Sequence, residues 1–146
     1  MGIAKTQDVE IDYLLDEQIG YLLRLANQRH ANIFHGHAPK GLTTTQFSAL
    51  VRIAQIGECS QNHLGRLTSM DVATIKGVVD RLKKKGLVRT QPDPCDKRRT
   101  IIRLAESARS LVEELHEKGR RISDETLRPL SQSEQATLLR LLKRVS

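Results

Sequence analysis

A cluster of long cationic side chains follows a short stretch of sequence that is rich in turn-forming residues. The run Asp96-Lys97-Arg98-Arg99 ends this stretch, and the segments on either side, 87–91 and 99–104, are short and β-prone. We therefore expect a β-hairpin with the cations at its tip. Long cations on a narrow ribbon can enter the minor groove of DNA, where a charge-assisted hydrogen bond from Asp96 can hold a neighbouring guanidinium in place. An ordinary solvated turn is the alternative.

The positive charge of the chain is confined to one segment. The formal net charge is +7 for all 146 residues, and segment 64–104 alone holds eleven Lys or Arg against four Asp. This segment therefore carries the whole excess. A basic run is often a plain solvated face, but an excess confined to one contiguous segment is typical of phosphate binding. The sequence thus favours a nucleic acid as partner.

The segment before the hairpin has the start, the stripe and the end of an amphipathic helix. Asp71 is a suitable N-cap, and Gly86 supplies a left-handed C-terminal cap. The run Lys83-Lys84-Lys85 complements the negative end of the helix dipole. Its predicted buried stripe consists of apolar residues at helical spacing: Ile75, Val78, Val79 and Leu82.

Residues off that stripe, close to the start of the same helix, have the chemistry to contact base edges. Thr74 offers a hydroxyl and a methyl group, Lys76 an ammonium for guanine acceptors, and Ala73 a contact for a thymine methyl. Gly77 permits close approach of the backbone. Taken one by one, each of these is equally well explained as an ordinary exposed helix residue, but the adjacent hairpin favours the DNA-binding interpretation.

The remaining pattern predicts a mainly helical chain. A long amphipathic helix is expected from Val9 to Phe34, followed by a breaker-rich loop at 35–41. Helical spacing returns over 105–127 until Pro129 breaks it. Capping signals open three further helices: Thr43 with Gln46, Ser60, and Ser131 with Glu134.

These elements define a fold class, which is mainly α with a small β-hairpin wing. Two short helices joined by a tight turn and followed by a hairpin constitute a winged helix-turn-helix, predicted here over 44–104. Long N- and C-terminal helices, 9–35 and 105–146, flank it, and their apolar stripes exceed what the winged helix can cover. We therefore expect one domain, 1–146, that forms a homodimer through the flanking helices and reads a pseudo-palindromic site in double-stranded DNA.

At this point the chain resembles the MarR family of bacterial transcription regulators. The resemblance extends over nearly the full chain and rests on short runs around the second helix of the pair and the wing: Val79-Asp80-Arg81-Leu82, Lys85-Gly86-Leu87-Val88, Pro92-Asp93-Pro94, and Asp96-Lys97-Arg98 with Leu104. One departure is visible, because Ala105 follows Leu104 where the family usually has Thr. That Thr would cap the next helix, so its loss affects the cap and not DNA binding.

The resemblance implies roles for individual residues and for a ligand. It implies that Asp96 shapes the wing, that Arg98 enters the minor groove and that Arg81 approaches the DNA backbone. It also implies a repressor that is released by a small aromatic carboxylate, or its thioester, bound in a cleft between the dimerisation helices and the winged helix. Four polar side chains beside the apolar stripe of the first helix are candidates for one wall of that cleft: Tyr21, Arg24, Gln28 and His35. A solvated polar flank is the alternative for these four.

Two further types of response remain open for such a regulator. His30, His35 and His37 lie close together, which leaves metal binding possible, although no Cys or acid nearby completes a ligand set. Cys59 and Cys95 are expected to be reduced thiols without a resolving partner, which leaves redox sensing possible.

Other classes of function find less support. A sequence-indifferent architectural protein would need only a diffuse basic surface. The motifs of the common nucleophile, zinc and phosphate-loop enzymes are absent, so no catalytic residue, cofactor or bound metal is expected. The apolar runs fall far short of a membrane span, and the N-terminus lacks a signal pattern, so we expect a cytoplasmic protein with no membrane partner.

Overall fold

A helical framework surrounds one small antiparallel sheet in the part of the chain that the computed structural model describes, Gly2 and residues 12–146. The helices are α1 (Ile19–His37), α2 (Thr44–Ile56), α3 (Gln61–Leu67), α4 (Val72–Lys84), α5 (Val112–Leu127) and α6 (Gln132–Val145). The strands are β1 (Glu58–Ser60), β2 (Val88–Pro92) and β3 (Thr100–Leu104). Short 3-10 helices precede α1, α2 and α5, at Leu15–Glu17, Pro39–Gly41 and Glu106–Leu111.

Side-chain caps start four of these helices at the predicted residues. At α2 the Gln46 amide donates to Thr43 Oγ1 at 3.3 Å and the Thr43 amide donates to Gln46 Oε1 at 3.2 Å, a complete capping box. A second capping box, Ser131 with Glu134, starts α6. Single caps start α3 and α4, at Ser60 and Asp71. Each cap satisfies a backbone N–H that has no partner within its own helix.

The first long helix starts later and ends later than the sequence predicts. Gln18 has extended backbone (φ −85°, ψ 135°), which separates the 3-10 helix Leu15–Glu17 from α1. The side-chain amide of Gln18 donates to the Leu14 carbonyl at 2.9 Å and closes that turn without continuing the helix. The predicted single helix from Val9 is therefore wrong over residues 12–18, and residues 9–11 lie outside the described part. At its other end α1 continues to His37, so the loop before α2 is shorter than expected.

The helix after the wing also begins differently from the prediction. Residues 106–111 form a 3-10 helix, and regular α-helix starts only at Val112. Ala105 stands at the N-cap position of this segment and provides no side-chain hydrogen bond. The tighter first turns follow from the missing cap, because 3-10 bonds satisfy terminal groups that a Thr side chain would otherwise engage.

The sheet has the strand order β1-β3-β2, so the wing hairpin is joined by a third strand that the sequence analysis missed. β2 pairs antiparallel with β3, with Thr90 opposite Ile102, and β1 pairs with the other edge of β3, with Cys59 opposite Ile102. β1 has only three residues and directly precedes the Ser60 cap, which is why its pattern reads as a simple loop. The predicted hairpin is confirmed, with strand ends that differ by about one residue.

One hydrophobic core holds the helix-turn-helix against the sheet. It includes fully buried side chains from α2, α3, α4, β3 and α5: Leu50, Ile53, Leu64, Ile75, Leu82, Ile102 and Leu115. The predicted stripe of α4 is buried as expected. Because this stripe fixes the rotation of α4, the opposite face of the helix is fixed toward solvent.

Candidate nucleic-acid interface

The turn between α3 and α4 brings the two helices into backbone-to-side-chain contact at Gly65. A Cβ atom at this position would lie 3.0 Å from the Met70 carbonyl oxygen and 3.2 Å from Ile75 Cγ2. The Met70 amide donates to the Gly65 carbonyl at 2.8 Å, and Ser69 takes a positive φ of 55° to make the turn. The sequence analysis did not single out Gly65, although a Gly inside a short helix signals a close approach.

The solvent face of α4 carries the predicted base-contacting side chains. Ala73, Thr74 and Lys76 are exposed, and Val72 beside them is 68% exposed although it is apolar. The Thr74 amide donates to Asp71 Oδ1 at 2.7 Å. That hydrogen bond lowers the pKa of the Asp71 carboxyl. The first turn of α4 is therefore well formed, and it presents Val72 together with the predicted Ala73 and Thr74.

Gly77 and Arg81 lie one turn apart farther along α4. A Cβ atom on Gly77 would meet only the Arg81 Nη1 atom, at 3.9 Å, which is the far end of a flexible side chain. Packing within the chain therefore does not require glycine here. The lack of a side chain instead leaves room for a partner to approach between the exposed Lys76 and Arg81.

At the wing tip, Asp96 holds the backbone and the side chain of Arg98 together. Asp96 Oδ1 accepts hydrogen bonds from the Arg98 amide and from Arg98 Nε, each at 3.1 Å, and Oδ2 accepts from Nη2 at 3.3 Å. The Arg98 side chain is nevertheless 91% exposed. The hydrogen bonds from Arg98, with a further contribution from the Arg99 charge, lower the pKa of Asp96. The carboxylate therefore stays ionised and positions the guanidinium while leaving its outer edge free.

A cleft between α3 and the wing lies beside the cations of the wing tip. It has a volume of about 180 Å³ and is lined by the side chains of Asn62, Arg66, Arg98 and Arg99, among others. Lys97, the remaining predicted cation of the tip, is exposed. Arg66 and Asn62 were missed by the sequence analysis, because only the packing of α3 beside β3 brings them next to the wing.

The four residues predicted to line a ligand site all lie on α1. The Arg24 guanidinium lies over the Tyr21 ring, 5.4 Å from its centre, and His35 packs edge-on against Phe34. Gln28 is exposed on the same helix. The structure thus brings Arg24 onto Tyr21 and His35 against Phe34.

A groove of about 520 Å³ lies instead between α2 and α5, the two helices that border the predicted cleft. Phe47, Val51 and Leu115 provide apolar lining, and His116 and Arg120 are polar members of the same wall. The Phe47 ring packs against Phe34 of α1 with 5.5 Å between ring centres. None of the four predicted α1 residues lines this groove.

The histidines and cysteines are dispersed in the described residues. His30 Nδ1 is 2.9 Å from Thr126 Oγ1 and His37 Nε2 is 2.8 Å from Glu125 Oε1, so both bridge α1 to α5. No group of three His, Cys, Asp or Glu side chains in this part of the chain is arranged to hold a metal ion. Cys59 is buried and Cys95 is exposed, and both are free thiols. Burial raises the pKa of Cys59, which makes that thiol less reactive.

Apolar side chains remain exposed on α1 and α6. Ile19 and Leu22 of α1 are 67% and 45% exposed, and Leu139 and Val145 of α6 are 47% and 74% exposed. No residue of α6 is buried within the described chain. Across the described helices, none combines the length and apolar character that crossing a bilayer requires. These faces therefore resemble surfaces that a protein partner covers.

The fold and this surface together define a winged helix-turn-helix protein. The MarR family profile matches residues 40–99, which include the helix-turn-helix and the wing up to its tip. The HTH-type transcriptional repressor NicR of Pseudomonas putida is 40% identical over 134 residues, covering 91% of this chain and 85% of NicR. The chain belongs to the MarR family of transcription regulators, as the sequence resemblance predicts, and the expectation that it is not an enzyme is confirmed by that membership.

Solved structures agree over nearly the whole length. A probable transcriptional regulator from Pseudomonas aeruginosa superposes with a TM-score of 0.88 at 50% identity, covering 91% of this chain and all of that one. BpsR of Bordetella bronchiseptica, whose DNA binding is regulated by 6-hydroxynicotinic acid, superposes with a TM-score of 0.85 at 36% identity, covering 91% and 96%. The predicted fold class is confirmed by these matches.

Proposed function

We propose that this regulator is a repressor that binds operator DNA as a homodimer, with α4 of each protomer in a major groove and each wing in the adjacent minor groove. The observation that carries the proposal is the wing tip, where Asp96 positions an Arg98 side chain that is 91% exposed. A cation held in place at the end of a narrow ribbon fits the negative potential of a narrow minor groove. The likeness to NicR supports repression as the mode of control.

Each predicted residue has a place in this arrangement. Ala73, Thr74, Lys76 and Gly77 face the base edges from the first turns of α4, and Arg81 reaches the backbone beside them. Lys97, Arg98 and Arg99 belong to the minor-groove contact, and Asp96 shapes the wing. The cations of segment 64–104 provide the electrostatic attraction that brings the protein to DNA.

The dimer follows from the exposed apolar faces of α1 and α6. A winged helix alone reads too few base pairs for a unique site, whereas two related by a two-fold axis read a pseudo-palindrome. Pairing the terminal helices of two chains covers side chains such as Leu22 and Leu139 and fixes the distance between the two α4 helices. The half-sites are then expected about one helical turn apart.

The proposed effector is a small aromatic carboxylate or its thioester, bound in the groove between α2 and α5. The groove has a volume of about 520 Å³, which falls within the ordinary range for small-molecule sites. Phe47 and Leu115 offer an apolar surface for a ring, and Arg120 is suited to a carboxylate. The regulation of BpsR by 6-hydroxynicotinic acid, a heteroaromatic acid, supports this class of ligand. The α1 set Tyr21, Arg24, Gln28 and His35 remains the alternative wall.

Selection from random duplexes tests the DNA-binding part of the proposal. Wild-type protein is expected to enrich a pseudo-palindrome with half-site centres about 10 base pairs apart. Lys76→Ala is expected to select the same site with relaxed preference at one position of each half-site, because one base contact is lost. Absence of any enriched motif with the wild type contradicts operator recognition.

Release of the selected operator tests the effector. Titration with 6-hydroxynicotinate, other aromatic acids and their coenzyme A esters is expected to lower DNA affinity for at least one compound. Arg120→Gln is expected to weaken that response, while Arg121→Gln, its exposed neighbour paired with Glu117 at 3.1 Å, serves as matched control. A response lost in Arg24→Ala and kept in Arg120→Gln moves the site to α1. Failure of every compound contradicts the effector class and leaves DNA binding untouched.

A further inference from the structure

The cleft between α3 and the wing lies between the two DNA-reading parts of the protein. Arg66 and Asn62 line this cleft together with Arg98 and Arg99. The same two residues also line a second depression of about 310 Å³ that extends to Asp71 and Val72 at the start of α4. A continuous surface therefore runs from the wing tip to the first turn of α4, and Arg66 stands in the middle of it.

The charge of the cleft suits one phosphate group. Its lining contains three arginines and no Asp or Glu. Asp96, outside the lining, engages Arg98 closely and Arg99 only at 3.8 Å. Arg66 forms no ion pair with the residues that the structure describes. Among the described residues, its one side-chain hydrogen-bond partner is His63, whose Nδ1 lies 3.5 Å from Arg66 Nη2. The three guanidinium groups thus share the one carboxylate of Asp96, and the cleft keeps an excess of positive charge.

The geometry of double-stranded DNA determines what lies over this cleft. A major groove and the minor groove next to it are separated by one sugar-phosphate strand. If α4 occupies the first groove and the wing occupies the second, that strand must cross the surface between them. The cleft occupies this position, and guanidinium groups bind phosphate oxygens in bidentate fashion.

We propose that the cleft between α3 and the wing binds a backbone phosphodiester of the operator, with Arg66 as its anchoring residue. This inference rests on the DNA-binding function proposed above and adds a site that neither the helix nor the wing provides alone. The contact is independent of base sequence, because every phosphate carries the same chemistry. Its role is to fix the register of the wing relative to α4, since Arg66 holds the strand that runs between the groove of α4 and the groove that Arg98 enters.

The first test is the salt dependence of operator binding by the full-length dimer with Arg66→Gln. Loss of one phosphate contact per protomer is expected to reduce the slope of log affinity against log salt by about 0.9 for each protomer, or about 1.8 for the dimer. The ratio of operator to random-DNA affinity is expected to stay unchanged. Arg121→Gln removes the same charge from an exposed position of α5 and is expected to keep the wild-type slope.

The second test locates the phosphate. Operators carrying one uncharged methylphosphonate at a time are titrated with wild type and with Arg66→Gln. Wild type is expected to lose affinity for a methylphosphonate placed between the major-groove half-site and the flanking minor groove, and Arg66→Gln is expected to be insensitive there. A free phosphate ion is the other source of this chemistry, so 10 mM inorganic phosphate at about constant ionic strength is added in a separate arm. Binding of inorganic phosphate to wild type but not to Arg66→Gln, with the same methylphosphonate pattern in both proteins, would assign the cleft to the free ion and overturn the proposal.

The outcomes separate this inference from the function on which it rests. If wild type selects no operator, the DNA-binding function fails and the cleft assignment fails with it. If wild type binds its operator and Arg66→Gln shows the same slope and the same methylphosphonate pattern, only the cleft assignment is overturned. Thermal unfolding of both variants checks the fold, and an Arg66→Lys variant that recovers part of the slope supports a charge contact.

Discussion

At the wing tip, Asp96 positions the guanidinium of Arg98. The Arg98 side chain is exposed and would sample many rotamers in isolation, but two hydrogen bonds from its guanidinium to Asp96 restrict it. Ordering a long side chain before binding reduces the conformational entropy that binding would otherwise cost. The same carboxylate keeps its charge because its pKa is lowered by those hydrogen bonds.

Replacement of Arg98 by Ala is expected to weaken operator binding about tenfold or more and to flatten its salt dependence, since one groove contact per protomer is lost. The change in unfolding free energy is expected to stay within about 0.5 kcal/mol, because the side chain is exposed. Arg109→Ala, which removes an exposed arginine paired with Glu106 at 3.7 Å, is the matched control. Fluorescence anisotropy across a salt series measures the operator affinity and its salt dependence for both variants. Wild-type binding by Arg98→Ala at every salt concentration would remove the wing from the interface.

Asp71 gives a prediction on the pH dependence of stability. Its pKa is lowered in the folded state by the hydrogen bond from the Thr74 amide, so its contribution is fully present above the unfolded pKa of about 4 and is lost as pH falls through the folded value. Asp71→Asn keeps a capping oxygen but carries no charge. The wild type is expected to melt at a higher temperature than this variant above about pH 4, with the gap closing at lower pH. A gap independent of pH between 5 and 2 would show that the charge contributes nothing.

At the scale of elements, the orientation of α4 depends on a glycine in the preceding helix. Gly65→Ala would place a methyl group 3.0 Å from the Met70 carbonyl oxygen, which is backbone and cannot move aside freely. We expect a loss of about 1–3 kcal/mol of unfolding free energy, as for other overpacked sites. Gly36→Ala on α1 meets nothing within 4 Å and is expected to be neutral or stabilising. Equal effects of the two substitutions in denaturant unfolding would contradict tight packing at the turn.

How far the sequence predicts these elements depends on whether the signal is local. Capping boxes such as Thr43 with Gln46 are local, so the starts of α2 and α6 were predicted to the residue. The break at Gln18 carries no glycine or proline, and the helix was wrongly extended through it. β1 forms because its three residues pair with β3, which is far away in sequence. No local sequence pattern therefore predicts it.

The residues of the candidate site also divide into those that a local signal predicts and those that only packing between elements brings together. The cations of the wing and the exposed face of α4 follow from spacing, because a hairpin tip and an amphipathic stripe fix where they point. Arg66 and the groove at Phe47 depend on how α3 meets the wing and how α2 meets α5. Such sites arise from packing between elements, which is why the α1 residues chosen from one helix alone do not line the groove.

For the whole molecule, the exposed apolar faces of α1 and α6 predict a dimer. Leu139→Glu places a charge on the face of α6 that we expect to be covered, and should convert the protein to a monomer at micromolar concentration. Ile56→Glu alters an apolar side chain of similar exposure, 40% against 47%, on α2 and is expected to leave the dimer intact. Sedimentation velocity measures the oligomeric state of both variants. A wild-type protein that sediments as a monomer, with and without operator, would contradict the dimer.

The most direct measurement is competition between the selected operator and a scrambled duplex of equal length at one fixed salt concentration. Base contacts from the α4 helices of a dimer are expected to give a preference of about a thousandfold or more, whereas phosphate contacts alone give none. A wild-type protein that binds both duplexes equally would contradict sequence-specific recognition by α4 and the wing.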